Sequence, residues 1–241
     1  MIQGIFLFLI ILIAYSFFWF DFYFLKNNFK KFKEDFEKAI LKNDVIVIFN
    51  SGGWGTVNYK KANDLNPFLK CIKSFLKKNN LKVSVIQYFR TEDHLIGKLG
   101  YLKDYASSFE KQAEEIVKII SRTKKRVILL GLSNGALIAD QIMKKTNKKN
   151  VFSLELGKPF FGAGSKNKNT LLINDYEDDL SNGKKIALLK SIFIYAPTIW
   201  IKSFFLGENI PLSKAVRVRG HNYPLEKYKK RVIIFMKEKI L

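Results

Sequence analysis

The chain has 241 residues, 48% of them hydrophobic and 22 of them Phe, enough for one α/β domain with a substantial core and an appendage. Its formal charge of +21 rests on lysine, since only six of its 42 basic residues are arginine (Arg90, Arg122, Arg126, Arg217, Arg219 and Arg231). With no arginine cluster and no recognisable nucleic-acid module, the composition argues against a nucleic-acid partner. The lysine excess either reflects an AT-rich coding sequence or serves attraction to anionic lipid headgroups, at on the order of 1 kcal/mol per lysine. Cys71 stands alone, which excludes an intrachain disulfide and permits a reducing compartment.

The opening "MIQGIFLFLIILIAYSFFWF" carries no charged side chain. Twenty residues at about 1.5 Å each reach roughly 30 Å, the thickness of a hydrocarbon core. Tyr15, Trp19 and Tyr23 gather toward its end as an interfacial belt would, and Lys26, Lys30, Lys31 and Lys33 follow. These features predict a transmembrane anchor over residues 1–25, retained for want of a small-x-small cleavage site, with the following domain on the cytoplasmic side. An uncleaved export signal is the alternative. Residues 26–43 read as an amphipathic connecting helix, with Phe29, Phe32, Phe36 and Ile40 at three- and four-residue spacing.

From residue 44 onward, apolar runs alternate with helical patterns. Strands are expected at "DVIVIFN" before a glycine-rich loop, then at 82–89, 125–131, 150–157, 169–175 and 214–220. Helices are expected at 66–78, 105–120, 136–145 and 227–240. The alternation predicts an α/β domain over 44–241, with a mostly parallel sheet of about six strands and helices on both faces.

One serine stands between two glycines in "GLSNGA", where the 125–131 strand gives way to a helix. The plain reading is a tight strand–helix turn. The chemical reading is a G-x-S-x-G elbow, which holds Ser133 in a strained, outward-facing turn. A serine hydroxyl needs a base, and the chain offers His94 and His221. Only His221, in "RGHNY", follows the serine in the Ser–acid–His order that accompanies such an elbow. The orienting carboxylate must then lie between them. The candidates are Asp140, Glu155, Asp175, Glu177, Asp178, Asp179 and Glu208. The "NDYEDD" cluster after a strand favours Asp178, with Asp179 and then Asp175 as alternatives. For a developing oxyanion, the backbone N–H of Asn134 and the "NSGGWG" loop supply donors. The loop lacks the lysine of a phosphate-binding P-loop, and no G-x-G-x-x-G is present. Neither a cofactor nor a metal is expected.

The order strand–"NSGGWG", strand–"GLSNGA", strand–"NDYEDD" and then "RGHNY" resembles the α/β-hydrolase superfamily, of serine esterase and lipase type, over about residues 44 to 241. The resemblance implies Ser133 as nucleophile, His221 as base and an acid after the penultimate strand. It also implies Gly53 as the first oxyanion donor, with Trp54 in reserve. The activity implied is that of a membrane-anchored serine hydrolase cleaving an ester or thioester, with a lipidic substrate. The alternatives are a non-catalytic membrane scaffold and an acyltransferase using the same triad. Residues 184–212 separate acid from histidine and run almost wholly apolar from Ile192 to Ile201 around Pro197. They are expected to form a lid or membrane-contacting segment carrying Phe193, Tyr195, Ile199 and Trp200, the alternative being an ordinary core helix.

Overall fold

The structure, a computed structural model, describes residues 2–162, 167–208 and 218–241. Five apolar runs pair in parallel as one sheet: β1 (Val45–Asn50), β2 (Val83–Gln87), β3 (Arg126–Leu132), β4 (Val151–Leu156) and β5 (Thr170–Ile173), in the order β2-β1-β3-β4-β5. β1 and β4 are buried at every position, because helices cover both faces of a parallel sheet. Chain order reverses between β1 and β3, so the loops leaving their C-terminal ends diverge and open a crevice where parallel sheets bind ligands. Among the described residues the sheet has five strands where about six were expected. The sixth expected strand, 214–220, falls largely outside the described residues. Its last residues form a turn in which Arg219 accepts the Asp179 N–H at 3.1 Å.

Alternate strand residues feed two cores. Ile46, Ile48, Val127 and Leu129 pack against α2 (Lys26–Lys42), α5 (Glu110–Ile120) and α6 (Asn134–Lys145). Val45, Val47, Ile128 and Leu130 pack against α3 (Asn66–Lys78) and α9 (Leu225–Lys239). The helix expected at 105–120 is divided. α4 (Leu95–Ala106) ends before Ser108 and Phe109, both at positive φ, and α5 follows. The amphipathic stretch after the expected anchor is helical, as α2, and continuous with the helix before it. α1 (Ile2–Trp19) runs through a π-helical turn (Phe20–Leu25) directly into α2.

Most of α1 is exposed, including Phe6, Phe8, Ile10 and Ile11. The Gly4–Lys42 helix is long and apolar enough to cross a membrane, with a mean hydropathy of 2.3 in its most apolar stretch. Its base is seated on the α/β domain. Phe20, Phe24 and Leu25 are buried, and a Cβ on Gly100 of α4 would stand 2.3 Å from the Phe20 Cβ, so the two helices cross backbone to ring. Asp21 pairs with Lys103 of α4 beside that crossing. A second apolar helix follows the acid loop: α7 (Lys185–Lys190), a π-helical turn (Ser191–Tyr195) and α8 (Ala196–Phe205). Phe193, Tyr195, Trp200, Phe204 and Phe205 on it are exposed, so it is no buried core helix.

Candidate active site

Ser133 joins β3 to α6 with φ +54° and ψ −121°, a strained conformation for any residue with a side chain. Its flanking glycines make the turn possible. A Cβ on Gly131 would stand 2.2 Å from the Gly135 carbonyl oxygen, and one on Gly135 would stand 2.1 Å from that of Asn50. Backbone therefore meets backbone across β3, α6 and the end of β1, with Ser133 at the tip. The Ser133 N–H donates to Leu156 O at 2.9 Å, which ties the turn to the end of β4. As the first residues of α6, Asn134 and Gly135 present N–H groups that no earlier helical carbonyl can accept.

The residue after Leu156 brings in His221. Gly157 has φ +55°, and a Cβ there would stand 2.8 Å from His221 Cε1 and 2.6 Å from Tyr223 Cε2. Ser133 and His221 thus both lie beside the end of β4. Among the described residues no hydrogen bond joins Ser133 to His221.

His221 Nδ1 lies 2.9 Å from Asp178 Oδ2. Asp178 is fully buried, yet each of its oxygens is satisfied. Oδ2 also accepts from the Tyr223 hydroxyl at 2.5 Å, and Oδ1 accepts from the Leu180 and Ser181 N–H groups at 2.9 and 3.3 Å. Burial raises the Asp178 carboxyl, but the bonds from His221 and Tyr223 outweigh it and hold the group below its ordinary value. An ionised carboxylate can only accept, so the Nδ1–H of His221 donates this bond.

The neighbouring acids point elsewhere. Asp179 pairs with Lys184 at 2.9 Å. Asp175 binds Lys227, takes the Tyr228 hydroxyl at 2.5 Å and accepts the Glu177 N–H at 3.1 Å, bonds that hold it at about 2. Asp140 is buried in α6 between Lys158 and Lys144, at 3.0 and 2.7 Å. The other histidine, His94, caps α4 by accepting the Gly97 N–H at 3.0 Å, and it bonds Glu92.

The loop after β1 reaches the same end of the sheet. Gly53, at φ +56°, has its carbonyl oxygen bonded by Asn134 Nδ2 at 3.3 Å and by the Tyr101 hydroxyl at 3.2 Å. Trp54 packs on Tyr101 with ring centroids 5.2 Å apart. The expected site residues Ser133, Asn134, Gly53, Trp54, His221 and Asp178 therefore gather where β1, β3 and β4 end. Three residues that sequence reasoning passed over join them: Arg90, Tyr101 and Tyr223. Tyr223 could have been noticed two residues beyond the histidine, and Arg90 as a rare arginine in a lysine chain.

The architecture is an α/β fold, a parallel sheet covered by helices on both faces, with a strained serine after its central strand and a histidine–carboxylate pair beyond its last. Neither a protein-family model nor a curated protein matches the chain. Among solved structures it is similar to Trichoderma reesei cutinase in complex with a C11Y4 phosphonate inhibitor, with 12% identity, a TM-score of 0.44, and 72% of this chain and 86% of that chain covered. The sheet order and the site geometry stand independently of that likeness.

Proposed function

We propose that the chain is a membrane-anchored serine hydrolase that cleaves a carboxylic ester or thioester of a lipid. The observation that carries this reading is a strained Ser133 beside the end of β4, where a His221 also lies whose Nδ1 is bonded to buried Asp178. In this mechanism Ser133 Oγ attacks the acyl carbon while His221 Nε2 takes its proton. Asp178 keeps the imidazole in the required tautomer and stabilises its charged form. N–H groups of Asn134 and the Gly53–Trp54 loop face the oxyanion. His221 returns the proton to the leaving alcohol or thiol. A water, deprotonated by the same nitrogen, then releases the acid and restores Ser133.

The membrane part of the reading rests on the exposed apolar α1 and the exposed apolar face of α7 and α8, which suit a substrate drawn from the lipid phase. The lysines after α1 favour a cytoplasmic catalytic domain. Incubation with a fluorophosphonate probe tests the chemistry. Wild type should label and Ser133→Ala, equally folded, should not. If wild type stays unlabelled while a known serine hydrolase in the same tube reacts, the enzyme reading fails.

A further inference from the structure

Arg90 lies just past β2 in "YFRTE" and is completely buried. Its Nη2 donates to the carbonyl oxygens of Ser51 at 2.7 Å and Gly53 at 2.8 Å, with Gly52 farther off at 3.4 Å. Its backbone N–H donates to Gly55 O at 3.3 Å, and its guanidinium lies 5.7 Å from the centre of the Phe109 ring. A Cβ on Gly55 would stand 2.8 Å from Cζ, so the loop is wrapped directly around the cation. Among the described residues no carboxylate pairs with Arg90, and Nε and Nη1 have no hydrogen-bond partner. A buried cation with no carboxylate beside it is costly to keep, more so than holding a surface loop in place requires.

In a trans peptide the C=O and N–H point in opposite directions. Drawing the Ser51, Gly52 and Gly53 carbonyls onto Arg90 therefore turns the N–H groups of Gly52, Gly53 and Trp54 away from it. Hydrogen bonding at a carbonyl also polarises the N–H of the same peptide and makes it a stronger donor. The Gly53 carbonyl is the most heavily engaged, receiving Arg90, Tyr101 and Asn134.

We propose that Arg90 is the positioning residue of the oxyanion loop, and that its unpaired charge strengthens the Gly53 and Trp54 N–H groups as donors to the negative charge formed during acyl transfer. The inference rests on the hydrolase reading above. Lysine, common everywhere else in the chain, cannot replace it, because a point-like ammonium lacks the planar fork that spans successive carbonyls.

The test uses the full chain in detergent, comparing wild type with Arg90→Met and Arg90→Lys. Turnover of a 4-nitrophenyl ester, the rate of fluorophosphonate labelling and the thermal midpoint are read together. For Arg90→Met, kcat and the labelling rate should each fall on the order of 100-fold with KM nearly unchanged. Arg90→Lys should lie between the two, since it restores charge without the fork. A folded Arg90→Met whose kcat stays within twofold of wild type, or which changes only KM, overturns the proposal. If Arg90→Met does not fold, Tyr101→Phe decides. Loss of its bond to Gly53 O should lower kcat several-fold at constant KM, and an unchanged kcat overturns the proposal. Wild type that never labels overturns the hydrolase reading and this one together. Wild type that labels no faster than folded Arg90→Met overturns only this one.

Discussion

The three aspartates of the 175–179 cluster differ in what they touch, and that difference sets distinct expectations. Asp178→Asn leaves a neutral amide opposite His221, free to flip and favour the wrong tautomer, so kcat should drop about 10⁴-fold. Asp179→Asn loses one ion pair with a half-exposed Lys184, worth about 0–1 kcal/mol, and should keep kcat within twofold. Steady-state kinetics on the two variants separates them, and equal activity of Asp178→Asn and wild type would remove Asp178 from the mechanism. The order serine, acid, histidine was legible in the sequence because it is a property of chain order. The sequence put Asp178 first among the acids but left Asp179 and Asp175 as alternatives. Neighbours in one short loop point apart, and their directions are set by Tyr223, Lys184 and Lys227 arriving from elsewhere. Arg90 and Tyr101 were silent for the same reason, since their role exists only once the β1 loop folds over them.

At the scale of elements, the strands were readable because a doubly covered parallel sheet leaves continuous apolar runs. α4 was not, because Gly97 and Gly100 weaken its helical pattern. Tertiary contact demands both: a Cβ at Gly97 would stand 2.9 Å from Glu92 O, and Gly100 meets Phe20. The seam between β4 and α6 holds a further consequence. Glu155 is fully buried on β4, bonded by Ser153 Oγ at 2.8 Å, with Lys158 Nζ 3.9 Å away and Asp140 facing it from α6. Burial first, and then the Asp140 charge, push its carboxyl up to about 8, against the Lys158 and Lys144 charges that oppose them. The unfolded chain releases that proton near pH 4.3. Between about pH 4.3 and 8 the native state thus binds more protons than the unfolded one, and stability should fall as pH rises through that window. Glu155→Gln keeps the shape and removes the titration. Thermal midpoints taken from pH 5 to pH 8.5 should show a flatter profile for the variant, with its advantage over wild type growing with pH. Parallel profiles would mean that Glu155 is ionised throughout.

For the whole molecule, the question is how two exposed apolar helices serve one site. The base of α1 is locked to α4 at Phe20 and Gly100, and the next residue, Tyr101, reaches the Gly53 carbonyl. The helix suited to a bilayer is thereby joined through one neighbour to the loop after β1. On the other side, the acid loop leads straight into α7 and α8. Gly183 packs on Phe160, which contacts Phe161, and Phe161 contacts Tyr105 of α4, so aromatic rings line the way between the two helices' supports. Phe193 is 71% exposed and Trp200 45%, so Phe193 contributes little to the fold and Trp200 only with part of its ring. Replacing both with serine should leave the thermal midpoint within a degree or two. If α8 meets the bilayer and passes acyl chains toward Ser133, the same variant should lose several-fold more activity on a long-chain ester in vesicles than on an acetyl ester in solution. Burying two aromatic side chains is worth about 1.5–3 kcal/mol each, which is ample for a tenfold effect. Equal losses on both substrates, accompanied by a lower midpoint, would assign these residues to the fold instead. Unchanged activity on both would leave α8 no part in delivering the substrate.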